Sequence, residues 1–298
     1  MATGIEREAE SPSLDVGCHM RVVVDSNMLK AEELRAFLLK SRKNKAVITD
    51  YLMIEALKGD PLSKIFDLMK ILSEFPKQVV VLKNMRSVGA LKGRRCGMTR
   101  RMIEKHQTKG FDDWCAGLAK AAAGDERHRR ELAERGREAD AEMDKIISAQ
   151  GTYCEIIADE AKNYTKAELD ILRTDQPYTP EMEAKLAERI VNLTVRFFEA
   201  HPDGVPPPSV LELPYTYLFR LAVCAYLQAL VRIREGGAQN AKAETIANDI
   251  VDATFAAQAT YFQGLLSNDA KATALHRNAK HILKGFPVSP EKLKKKAA

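Results

Sequence analysis

The chain has 298 residues, 45% hydrophobic and 29% charged, a balance that excludes a wholly disordered polypeptide, a collagen-like repeat and a disulfide miniprotein. Its formal charge of +5 is mildly basic, which permits a nucleic-acid partner without requiring one. The five cysteines, Cys18, Cys96, Cys115, Cys154 and Cys224, form no CxxC pair, and no His stands at zinc-finger spacing. Separate free thiols in a reducing compartment, and hence a cytoplasmic protein, are the expectation.

Residues 1–19 read as a loose polar leader without the basic start and apolar core of a signal peptide. Arg21-Val22-Val23-Val24-Asp25 then reads as a buried parallel strand, because β-branched residues suit a sheet covered on both faces. A helix follows from Lys30 to Arg42, with Leu34, Phe37 and Leu38 on one face. Ala46-Val47-Ile48 is a second strand, and Thr49 is placed to cap the next helix. Gly59-Asp60-Pro61 punctuates the chain before a further helix to about Phe75. Gln78 to Leu82 forms a third strand. Strand and helix alternate over this stretch, which predicts an α/β fold with a parallel sheet.

From about Gly97 to Asn248 no strand is evident. Residues 118–147, 181–200 and 215–234 carry helical patterns, and Asp203 to Pro208 is a stiff linker. Tyr215 to Ile233 is the most apolar stretch, yet Arg220, Gln228 and Arg232 interrupt it, so a buried helix is expected rather than a membrane span. The α/β character returns with a helix at 248–261, a short strand at Leu265-Leu266-Ser267 and a helix from Ala270 to Leu283. An edge strand at Phe286-Pro287-Val288 and a last helix begun by Ser289-Pro290-Glu291 are also expected. The organisation expected is an α/β core over 20–96 and 245–291, a helical insertion or subdomain over 97–244, and a basic tail over 292–298.

Ligands of an open parallel sheet sit outside the carboxyl ends of its strands. Asp25 and Asp269 belong at such ends, Glu55 lies in the helix after the second strand, and Asp249 and Asp252 share one helix face. Converging carboxylates repel one another, and a proton or a divalent cation relieves that repulsion. An all-oxygen ligand set favours Mg²⁺ or Mn²⁺ over Zn²⁺. Metal-dependent phosphodiester hydrolysis is the chemistry such a site can perform.

Four stretches, in order, resemble the motifs of PIN-domain nucleases. Val22-Val23-Val24-Asp25-Ser26-Asn27 resembles the opening strand and acid of that family. Ile48-Thr49-Asp50-Tyr51-Leu52-Met53-Ile54-Glu55 is similar to the second motif, Asn248 to Ala257 to the third, and Leu265-Leu266-Ser267-Asn268-Asp269 to the fourth. The resemblance covers about half the chain. It implies a PIN-like parallel sheet and a metal-dependent endoribonuclease. Asp25, Glu55, Asp252 and Asp269 would be the catalytic metal ligands, and Asp249 would replace or assist Asp252. Ser26 or Asn27 would hold an acidic ligand or the scissile phosphate.

Lys92, Arg94, Arg95, Arg100, Arg101 and Lys105 form the densest basic run, for which a solvated face is the default reading and a nucleic-acid backbone role of Arg94, Arg95, Arg100 and Arg101 the functional one. Arg127 to Arg130, set among glutamates, reads as a salt-bridged helix. His106 has no companion for base catalysis, and the single Trp, Trp114, reads as core. A nuclease enlarged by helices suits a toxin or defence effector acting on RNA such as tRNA, with an inhibitor protein or a second copy as possible partners and no membrane association. The competing reading is an inactive PIN-like module that binds RNA or protein. A dinucleotide-binding or P-loop enzyme is disfavoured, because neither GxGxxG nor GxxxxGK[ST] follows a strand.

Overall fold

Arg21–Val24 forms β1, whose three valines are buried while Arg21 stays exposed. The computed structural model describes residues 19–93, 95–148, 150–174, 176–237 and 241–286. After β1 the chain runs through α1 (Glu32–Lys40), β2 (Lys45–Ile48), α2 (Asp50–Leu57), α3 (Pro61–Glu74) and β3 (Val79–Val81). As expected, Thr49 caps α2, its Oγ1 accepting from the Leu52 N–H at 3.0 Å. Asp60 and Pro61 open α3 as N-cap and first residue.

The helical stretch comprises α4 (Met85–Gly89), α5 (Thr99–Met102), α6 (Lys105–Lys109), α7 (Phe111–Ala122), α8 (Glu126–Ser148), α9 (Gln150–Ala161), α10 (Lys166–Arg173), α11 (Pro180–Glu199) and α12 (Tyr217–Arg234). Arg127–Glu131, Arg137–Glu134 and His128–Asp125 pairs lace α8, as its charge pattern implies. The linker after α11 turns at Gly204, whose φ of 59° favours glycine, and Arg86 pins its Asp203 to α4. Then come α13 (Ala243–Ala259), β4 (Gly264–Leu266) and α14 (Ala270–Gly285). The closing strand and final helix, the leader over 1–18 and the basic tail fall outside the described residues.

The sheet is wholly parallel, with strand order β3-β2-β1-β4. The chain winds outward from β1 to β3, leaves for the helices, and returns on the other side of β1. Val22 and Val23 are opposite Gly264 and Leu265, and Val24 is opposite Leu266. The next residue on each strand is therefore Asp25 beside Ser267, at the carboxyl edge.

The helices of 97–244 pack on the α/β layer. α8 lies against α2 and α3, α12 against α13 and α14, and α13 against β1 and β4. One hydrophobic cluster runs from Val23 and Ile48 through Leu132 and Ile190 to Phe219 and Phe255. α12 is buried because it is the axis of that cluster, with Tyr217, Phe219, Ala222, Val223 and Tyr226 all within it. Among the described residues no helix is long and apolar enough to cross a membrane. Cys96, Cys115 and Cys224 are free thiols.

Trp114 packs against the core at its margin. It is half-buried, its ring 5.3 Å from that of Phe111, and both line a cavity of about 550 Å³.

Candidate acidic site at the carboxyl edge of the sheet

Asp25 leaves β1 buried, with 6% of its surface exposed. Such a carboxylate needs donors, and the neighbouring strand end supplies one. Ser267 Oγ donates to Asp25 Oδ2 at 2.5 Å, and Asn27 Nδ2 donates to the same oxygen at 2.8 Å. Ser26 Oγ lies 3.5 Å from Asp25 Oδ1. Asn27 Oδ1 accepts from the Asn268 N–H at 3.1 Å, so the two strand ends are stitched in both directions.

Asp269 caps α14, its Oδ1 accepting from the Lys271 and Ala272 N–H groups at 2.6 and 3.1 Å. The cap fixes one oxygen, and the same side chain acts electrostatically on Asp252. Glu55 lies on α2, half-buried beside the Ser26 hydroxyl. Burial pushes its carboxyl above the usual range, the Asp25 charge adds to that push, and Ser26, Lys58 and Lys64 oppose it. Its Oε2 is buried without a hydrogen-bond partner among the described residues.

Asp252 registers the whole group. Its carboxyl is pushed up to about 7, first by burial, then by Asp269, Asp25, Asp249 and Glu55 in falling order. The structure thus brings Asp25, Glu55 and Asp269, from the end of β1, α2 and the start of α14, into electrostatic reach of Asp252 on α13.

Asp249 takes a different position from the one expected of it. Arg232 of α12 donates from Nε to Asp249 Oδ2 at 2.6 Å, and both side chains are largely buried. Asp249 is thus paired with a guanidinium while still acting on Asp252, which is the α13 carboxylate without a cationic partner among the described residues.

The basic run stands beyond β3. Arg95 and Arg100 are exposed and form no ion pair among the described residues. Arg101 donates from Nη1 to the Lys92 carbonyl at 3.0 Å. Arg94 lies outside the described residues.

Two features govern what this group accepts. A buried Glu55 oxygen lacks a donor, and Asp252 is destabilised as an anion by its neighbours. A proton or a hard divalent cation satisfies both, and an all-oxygen donor set suits Mg²⁺ or Mn²⁺. Among the described residues no three His, Cys, Asp or Glu side chains stand close enough to enclose an ion. The carboxylates act on one another through space, not as a closed cage.

Ser267 was the residue that sequence reasoning missed. It is visible in the stretch Leu265 to Asp269, but only the β1–β4 register shows that its hydroxyl meets Asp25.

No model of a known protein family matches the chain, and no curated protein or solved structure matches it either. Fold and site together define an α/β protein with an acidic cluster at the carboxyl edge of a four-stranded parallel sheet.

Proposed function

We propose that this chain is a divalent-cation-dependent nuclease that hydrolyses RNA, with Asp25, Glu55, Asp252 and Asp269 as the side chains that hold the cation. The observation that carries this reading is the gathering of acids around Asp252 at the carboxyl edge of the sheet, where burial and then Asp269, Asp25, Asp249 and Glu55 raise its carboxyl to about 7. Gathered carboxylates repel one another at a cost to the fold, and groups perturbed in this way concentrate at functional sites. Mg²⁺ or Mn²⁺ would supply Lewis acidity toward a phosphodiester oxygen and toward water.

The chain's own residues have separable tasks. Asp25 is the fixed member, its Oδ2 held by Ser267 and Asn27. Glu55 and Asp252 are the members with unsatisfied oxygen or charge. Asp269 is oriented through its cap on α14. Arg95 and Arg100, exposed and free of ion pairs among the described residues, are suited to phosphates away from the bond cleaved.

The test is cleavage of a structured RNA such as tRNA with Mn²⁺. Cleavage is expected to stop on adding EDTA. Asp25→Asn is expected to lower it roughly 100-fold or more with the melting temperature unchanged, because Asn retains an oxygen to accept from Ser267. EDTA-resistant cleavage, or an Asp25→Asn protein as active as the parent, would overturn the reading. Salt-sensitive RNA binding with no cleavage of any RNA or DNA would favour a binding module instead.

A further inference from the structure

The acidic cluster leaves unused the cavity on the other side of α2. It sits at the carboxyl ends of β2 and β3, where Ile48 and Val81 end their strands, and measures about 550 Å³. That volume is in the range of small-molecule sites. Asp50, Met53 and Leu57 form its wall along one face of α2, whereas Glu55 projects from a different face of the same helix.

The opposite wall exists because the chain doubles back after β3. Leu82 pairs antiparallel with Ile103, the Lys83 N–H donates to the Met102 carbonyl and the Glu104 N–H to the Val81 carbonyl, each at 2.8 Å. This pairing delivers His106 and Gln107 of α6, then Phe111 and Trp114 of α7, to the same cavity. The Trp114 and Phe111 rings are tilted 33° to each other, and Trp114 is half-exposed. Apolar lining from Ile48 and Val81, a partly exposed indole and a rim of amides and charges combine a stacking surface with hydrogen-bonding groups for a ring edge.

We propose that this cavity receives a nucleobase of the RNA strand, stacked on Trp114 and addressed at its edge by the Gln107 amide and by Nδ2 of Asn84, whose Oδ1 caps α4. The strand as the source of that base rests on the nuclease reading; base binding itself does not. α2 links the two sites. Asp50 in the cavity and Glu55 in the acidic cluster are five residues apart, about 7.5 Å of helix rise. One strand would therefore lay a phosphate at the acids and an unstacked base beyond the helix.

Trp114 is the single Trp of the chain, so its emission reports on this cavity alone. The experiment titrates the full chain, in EDTA to prevent cleavage, with AMP, GMP, CMP, UMP, ribose 5-phosphate and single-stranded hexaribonucleotides. Saturable quenching by at least one nucleotide and none by ribose 5-phosphate is expected. A hexanucleotide is expected to half-saturate at a concentration at least tenfold lower. Gln107→Ala, which leaves the fluorophore in place, is expected to weaken that titration. Trp114→Ala, followed by ligand-observed NMR with the best mononucleotide, is expected to bind about tenfold more weakly or worse, the loss of one stacked base.

Emission unchanged by every nucleotide and hexanucleotide, or NMR binding unaffected by Trp114→Ala, would overturn base binding. A hexanucleotide no better than its mononucleotide would overturn the strand as the source. Quenching in a protein that cleaves nothing would leave the cavity assigned while the nuclease reading falls. Cleavage without quenching would do the reverse.

Discussion

Ser267 Oγ donates to Asp25 while accepting from the Asp269 N–H at 3.0 Å and facing Asn27 Nδ2 at 3.3 Å. One hydroxyl therefore relates two acids that are far apart in sequence. Ser267→Ala keeps the strand but leaves Asp25 with one fewer donor and a less fixed rotamer. We expect Mn²⁺ affinity, read by calorimetry, to fall about 10- to 100-fold with little change in melting temperature. Unchanged affinity would show that Ser267 positions nothing. Asp252 makes a separate prediction about stability. Its carboxyl titrates near 3.8 when unperturbed and at about 7 in the fold. Below pH 4 both folded and unfolded chains keep the proton, and the residue carries no penalty. Between pH 4 and 7 the unfolded chain releases it while the fold retains it, so stability is lost as pH rises through that window. Asp252→Asn is expected to stabilise the metal-free protein at pH 8 by an amount on the order of 3 kcal/mol, with little effect at pH 4. Urea melts at the two pH values check this, and equal effects at both would refute it.

At the scale of elements, the strands and most helices were legible because their patterns are local. Valine runs marked β1 and β3, Thr49 marked the start of α2, and the interrupting Arg220, Gln228 and Arg232 separated α12 from a membrane span. What stayed illegible depends on pairing between distant segments. The order β3-β2-β1-β4 comes from crossovers that no single stretch encodes. The neutralisation of Asp249 needs Arg232 from another helix, and the cavity needs the Leu82–Ile103 bridge to bring α6 and α7 to the sheet edge. The second role of Trp114, as part of a cavity wall, was hidden for the same reason: its packing on the core shows in the helical pattern, the facing wall does not. The close seating of α8 on the α/β layer was equally hidden. At Gly136 a Cβ would stand 2.9 Å from Cδ and Cγ of Pro61, a rigid ring at the start of α3. Gly136→Val is expected to destabilise the fold by about 2 kcal/mol or more, read as a lower urea midpoint. A neutral or stabilising outcome would mean that α8 is free to move from α3.

Across the whole molecule, the helices do more than decorate a small sheet. A four-stranded parallel sheet covers little apolar surface, and a single core shared with α8, α12 and α13 completes its burial. The same arrangement fixes α13, and thereby Asp252, against β1 and β4. It also builds the Trp114 cavity beside α2. Acidic cluster and cavity thus both depend on helices that lie between β3 and β4 in the chain.

The proposed function requires Asp25, Glu55, Asp252 and Asp269, which do not enclose an ion in the structure described, to close on a shared divalent cation. Crystals of the whole chain soaked in Mn²⁺ and measured at the manganese absorption edge test it most directly. We expect an anomalous peak at bonding distance, about 2.1 Å, from oxygens of Asp25 and Asp252, with Glu55 and Asp269 turned toward it. A map without a peak among these side chains, or with manganese bound only elsewhere, would contradict the claim.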